Sequence, residues 1–173
     1  MVVGHVSATE ENSKGVGLLI SMLVRYPELA TVNLDPRGKL IKFTFILTKP
    51  VPERDFESIR DRIRLSIEAY LSFKAVEAST IEVEKTNFSD ICVLELRRDM
   101  ASLTQDEISL VIEIVRDACG ELLAADRNDH LLEEDLMIQE EIIDEMLQDV
   151  RELRQGKSIV AFREEGRVVV YNK

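Results

Sequence analysis

The stretch ATVNLDPRGKLIKFTFILT, residues 30–48, decides the fold class. Ile41, Phe43, Phe45 and Leu47 alternate with Lys42, Thr44 and Ile46, the period of a strand with one buried face. Residues 30–34 supply a partner strand. Between them lies Asp35-Pro36-Arg37-Gly38, in which proline presets one backbone angle and Gly38 is expected to supply the positive φ that closes the turn. Pro50 and Pro52 end the second strand.

Downstream, Phe56, Ile59, Ile63, Ile67 and Tyr70 recur at three- and four-residue steps, predicting a helix over about 53–76 with one apolar stripe. A second hairpin is expected from residues 80–85 and 90–98, joined through Thr86-Asn87-Phe88-Ser89. Thr104-Gln105-Asp106-Glu107 reads as a capping box, with Leu103 and Ile108 placed as a hydrophobic staple. Ile108, Val111, Ile112, Val115, Cys119 and Leu122 then form a broad apolar helix face. Residues 30–77 and 79–125 therefore share the order strand, strand, helix. The fold class is α+β: two consecutive ββα units forming a mainly antiparallel sheet with helices on one face, four strands in the simplest packing. The other face is left to solvent, to the first helix or to a second subunit.

Upstream, a helix is expected from Ser13 to Tyr26, with Ser13 as N-cap and Pro27 as the stop. Gly15 and Gly17 weaken it by roughly 1 kcal/mol each relative to alanine. Residues 1–6 read as a short strand or a frayed end.

The last third differs in character. Residues 126–154 hold eleven carboxylates against three arginines in a chain of net charge −11. Leu132, Leu136, Ile143, Met146, Leu147, Val150 and Leu153 share one helical arc, with Glu133, Glu134, Glu140, Glu141, Asp144, Glu145 and Glu152 opposite. Leu132, Leu136, Gln139, Ile143, Met146, Val150 and Leu153 follow alternating four- and three-residue steps, the spacing of a coiled-coil seam, with Gln139 as its polar exception. A final hairpin, 158–163 and 167–171 around Glu164-Glu165-Gly166, needs a sheet to join, because an isolated hairpin is marginal in water. Residues 1–125 thus read as a core domain. Residues 126–173 read as an arm of acidic helix plus hairpin, packing on that core or on a second subunit.

Composition excludes several functions. The acidic balance disfavours nucleic acid and anionic membranes, although residues 37–74 carry nine Lys/Arg against five Asp/Glu. RNA or ribosome association through residues 37–64 is accordingly a minor reading. No apolar run reaches the ~18 residues of a membrane span. The first fourteen residues lack the basic flank of a signal peptide, so a cytoplasmic location is expected. Cys92 and Cys119 lie in apolar patterns, outside any CxxC, and read as buried thiols.

Chemistry-bearing constellations are sparse. His5 and His130 are the two histidines, and neither a G-x-S-x-G elbow nor a phosphate-binding glycine loop occurs. The cluster Asp126–Asp135, with His130, has metal-ligand residue types but reads better as a helix–helix turn capped by Asn128 or Asp129. Arg60 and Arg64, with Arg54 and Arg62, offer contacts for an anion or an acidic partner, although interspersed carboxylates favour surface ion pairs. No catalytic residue, metal site or cofactor is assigned. The expected function is non-enzymatic: self-association or protein–protein interaction of adaptor or regulatory type. A homodimer is expected through Leu132, Leu136, Ile143, Met146, Val150 and Leu153, with a further protein partner as an open place. The alternative is a small-molecule sensor or enzyme domain with its ligand between sheet and helices.

Overall fold

Among the described residues every strand pairing is antiparallel, and six strands join in one open sheet. The structure, a computed structural model, describes residues 10–126, 132–153 and 155–172. The elements run α1 (Glu10–Arg25), β1 (Thr31–Asp35), β2 (Leu40–Leu47), α2 (Glu53–Phe73), β3 (Ile81–Asn87), β4 (Cys92–Asp99) and α3 (Gln105–Cys119). A 3-10 turn (Gly120–Leu122) leads on to α4 (Glu133–Arg151), β5 (Ile159–Glu164) and β6 (Arg167–Asn172). The strand order is β3-β4-β2-β1-β5-β6. The α+β class stands, with six strands among the described residues where the simplest packing of the core alone gave four. The last hairpin supplies the difference, pairing β5 with β1 from Thr31↔Phe162 to Leu34↔Ile159.

Period-two burial follows the sequence closely. Val32 and Leu34, Ile41, Phe43, Phe45 and Leu47, Cys92, Leu94 and Leu96, Ile159 and Ala161, and Val168 and Val170 enter one core with the helices. The opposite face carries Lys42 paired with Glu95 at 2.9 Å and Arg97 with Glu84 at 3.1 Å. Those ion pairs lie between neighbouring strands, where charge alternation relieves the direct Glu84↔Glu95 register.

The first hairpin turns differently from the expectation. Gly38 does not take the positive φ; Lys39 does, at 55°. Gly38 instead fits closely under the Asp35 carboxylate: its N–H donates to Asp35 Oδ1 at 3.1 Å, and a Cβ there would lie 2.5 Å from Oδ2, so the carboxylate would have to shift. The last hairpin is a two-residue turn with positive φ at both Glu165 (51°) and Gly166 (75°), the primed geometry that matches strand twist.

Helix α1 starts at Glu10, ahead of the expected Ser13, and lies between the sheet and α4. Its two glycines explain how. A Cβ on Gly15 would meet Ile159 and Leu34 methyls at 3.0 Å, and one on Gly17 would meet Met146 Cε at 2.8 Å. One glycine lets the helix settle on β1 and β5, the other lets α4 settle on the helix. The propensity cost of roughly 1 kcal/mol each is offset by burial of Leu18, Leu19, Met22 and Leu23. Arg163 of β5 closes the far end of α1, donating to the carbonyls of Leu23, Tyr26 and Leu29. Burial pulls its guanidinium below its ordinary pKa, against the opposing charges of Asp126 and Glu28.

Helix α4 is capped at Leu132, whose N–H donates to Asp135 Oδ2 at 3.3 Å, in place of the expected Asn128 or Asp129. Residues 1–6, His5 and His130, and residues 127–131 of the acidic cluster lie outside the described residues. Cys92 and Cys119 are free and buried, and burial pushes the Cys119 thiol up to about 11. Among the described residues no helix is long and apolar enough to cross a membrane.

Candidate functional site

The C-terminal end of α2, the approach to α3 and the first half of α4 enclose a groove of about 530 Å³. Tyr70, Leu71, Lys74 and Val76 form one wall, and Ser102, Thr104, Gln105 and Asp106 the floor. Met137, Glu140, Glu141 and Asp144 form the second wall. Each wall is placed by a local rule. Helix α2 buries Phe56, Ile63, Ile67 and Leu71 at helical spacing, then stops where Ala75 takes a positive φ of 55°. This leaves Val76 and Lys74 at the groove and Phe73 exposed by 87% on the same last turn.

The floor is held by the N-cap of α3. Thr104 Oγ1 accepts from the Glu107 N–H at 3.2 Å and shares a hydrogen bond with Tyr70 Oη at 3.1 Å. Gln105 Nε2 donates to Tyr26 Oη at 2.7 Å and Ser109 Oγ at 2.9 Å. Burial pushes the Tyr26 phenol above its ordinary pKa, more than its bonds to Ser109 and Gln105 pull it down.

Directly behind the floor lies a buried ion cluster. Arg98 is fully inaccessible, as is Glu107, and the pair is bidentate, with Nε to Oε2 and Nη2 to Oε1 both at 2.7 Å. Arg98 also donates to Asp99 Oδ1 at 2.5 Å, to the Thr80 carbonyl at 2.8 Å and to Ser102 Oγ at 2.9 Å. Asp99 in turn accepts from Thr80 N–H and from the Ser102 N–H and hydroxyl. Burial alone would raise the Asp99 carboxyl. The bonds from Ser102 and Thr80, with the Arg98 charge, hold it below its ordinary value instead. The cluster ties β4, the start of β3 and the first turn of α3 into one rigid piece, and Ser102 joins it to the groove.

Glu107 thereby departs from the capping-box expectation. Its backbone N–H is capped by Thr104, but its carboxylate turns inward to Arg98. The signal was present: Arg98 falls in the period-two series Cys92, Leu94, Leu96, so its side chain had to enter the core. A buried guanidinium demands a carboxylate, and Glu107 is within reach.

The second wall depends on how α4 is anchored. Ile143, Leu147 and Val150 are buried, and Leu153 beyond the helix is nearly so. Arg151 donates to the Met100 and Leu103 carbonyls, and Arg25 of α1 grips Glu140 at 2.7 and 3.0 Å. Of the seam residues read from heptad spacing, Ile143, Val150 and Leu153 therefore face their own chain. Met146 packs over Gly17, Leu136 is half-buried and Leu132 is exposed. Ahead of this anchored half, Met137 and Ile138 remain exposed by 59% and 52%.

The arginines of α2 lie elsewhere. Arg60 contacts Asp61 at 3.4 Å and lies 5.7 Å from the Phe56 ring centre, and Arg64 pairs with Glu68 at 3.6 Å. Arg64 lines a broad, open cleft with Glu68, Glu77 and Glu82. Among the described residues no three His, Cys, Asp or Glu side chains are grouped to hold a metal ion. No protein-family model, curated protein or solved structure significantly matches this chain.

Proposed function

We propose that this protein is a non-enzymatic interaction module and that its groove between α2, α3 and α4 takes a basic, amphipathic segment of a protein partner. The carrying observation is a largely apolar wall facing a largely acidic one. Leu71, Val76, Tyr70 and Met137 give the groove its apolar surface, while Asp106 of the floor and Glu140, Glu141 and Asp144 of the second wall give it acid, with Lys74 as the opposing charge. Glu140 is already held by Arg25, which leaves three carboxylates to meet basic side chains. Such an arrangement accepts the apolar face of a helix or strand while its acidic wall steers cationic flanks.

The polar floor favours this reading over a small-molecule site. A ligand pocket needs a few convergent groups with unused hydrogen-bonding capacity. Here Thr104 and Tyr70 are engaged with each other, Ser102 with the buried cluster, and Gln105 with Tyr26 and Ser109. The acidic α4 then acts as an arm whose C-terminal half docks on α1 and whose N-terminal half meets the partner.

Fluorescence anisotropy with a labelled Leu/Lys amphipathic peptide tests the proposal, with Leu/Glu and Gln/Lys peptides of equal length as controls. Saturable binding of the Leu/Lys peptide alone is expected. Met137→Ser, and separately Glu141→Lys with Asp144→Lys, should weaken it by about tenfold or more, equivalent to about 1.4 kcal/mol. Binding that ignores both changes, or equal binding of the Gln/Lys peptide, overturns the proposal.

A further inference from the structure

The two edges of the sheet are built differently. The β3 edge carries Glu82, Glu84 and Lys85 along its length, and α2 packs beside it. Lys85 Nζ and Asn87 Nδ2 both donate to the Val51 carbonyl at 2.9 Å, and Asn87 Oδ1 accepts from the Val51 N–H at 3.1 Å. The segment before α2 is thus fastened to side chains of that strand. Charged side chains and covering segments are how sheets prevent edge pairing.

Among the described residues the β6 edge carries a single charge, Arg167, and α1 packs against the strand as α2 does against β3. Its sequence is RVVVYN, with no carboxylate, proline or glycine. Val168 and Val170 point into the core. On the other face Val169 is half-buried opposite Phe162, and the Tyr171 ring, 51% exposed, stacks on Phe162 at 5.4 Å and 9°. Both faces of this strand are therefore apolar next to an outward row of backbone donors and acceptors. Such a row is a template for another strand.

We infer that β6 pairs antiparallel with β6 of a second copy of this chain, making one continuous sheet across a two-fold axis. Sheet faces match across such an axis when the register is centred on Val169. Val168 then lies opposite the partner's Val170, so the two cores continue into each other. Arg167 lies opposite the partner's Tyr171, where a guanidinium over an aromatic ring is favourable. The net charge of −11 opposes association in general, but the edge itself brings a cation and no carboxylate to the contact. This interface is separate from the groove. It assigns the homodimer expected from the sequence to the hairpin and not to the α4 seam.

Sedimentation equilibrium of the full chain at micromolar concentrations should give about twice the 19.7 kDa chain mass. Val169→Lys places like charges face to face at the axis and should weaken dimerisation by about tenfold or more, with unchanged circular dichroism. Val169→Cys should form a covalent dimer on mild oxidation, while Glu84→Cys on the other edge should not. A wild-type monomer mass overturns the inference. So does a dimer that resists Val169→Lys and is not trapped by Val169→Cys.

Discussion

Exchanging Arg98 and Glu107 separately and together gives the sharpest measure of what holds the groove floor. Both side chains are inaccessible and joined by two 2.7 Å bonds, so removing either leaves a buried charge short of partners. The two losses should differ. In Glu107→Leu, Arg98 retains Asp99, Ser102 and the Thr80 carbonyl, which places the cost near the lower end of the range for a broken buried pair, about 3 kcal/mol. In Arg98→Met, Glu107 loses its side-chain partner while Asp99 keeps only Thr80 and Ser102, which places the cost near the upper end, about 5 kcal/mol. The double variant replaces the pair by apolar volume. It should be more stable than Arg98→Met by about 2 kcal/mol or more, because the orphaned carboxylate is gone. Urea unfolding followed by circular dichroism near neutral pH measures all four corners. If the two costs add to within about 0.5 kcal/mol, or if Arg98→Met costs under about 1 kcal/mol, the buried pair is not the tie described.

Three further outcomes test other joints. Gly17→Leu should destabilise by about 1–3 kcal/mol through overpacking against Met146, and Met146→Ala should recover part of that loss; no recovery would contradict the α1–α4 contact. Glu165→Asn should raise stability by about 0.5–1 kcal/mol, since Asn tolerates the positive φ of a primed turn better than Glu; a lower thermal midpoint would contradict that turn geometry. The Asp99 carboxyl is held below its ordinary value of 3.8, so its contribution is complete above that pH and disappears as pH falls below it. The stability gap between wild type and Asp99→Asn should therefore shrink in acid, and a gap that stays constant in acid titrations would remove the argument.

Much of the groove's framework was legible locally. The α2 stripe, the Thr104 cap and the alternation of β2 each rest on a period or a short-range hydrogen bond. The groove itself was not legible, because Tyr70, Gln105 and Met137 come from three helices whose approach is set by packing. Glu107 illustrates the limit. Its position three residues after Thr104 suits a reciprocal cap, yet Arg98 of β4 competes for the same carboxylate and wins because a buried guanidinium cannot be left unpaired. Gly15 and Gly17 are similar: alone they are weak points in a helix, and their use appears only when Ile159, Leu34 and Met146 arrive against them.

The α4 stretch marks the boundary most clearly. Heptad spacing and opposed acids determined that residues 133–151 form a helix with one apolar side, because a 3.6-residue period is a local property. Which surface that side meets is a competition between solutions equal in local energy: a second copy, or α1 of the same chain. Tertiary structure decided for α1, since Gly17 and the Arg25–Glu140 pair complement this helix, and linkage in one chain needs no second molecule. The last hairpin followed the same logic. Its sequence determined two strands and a primed turn, and only the free flank of β1 decided that they complete this sheet, leaving β6 as its open edge.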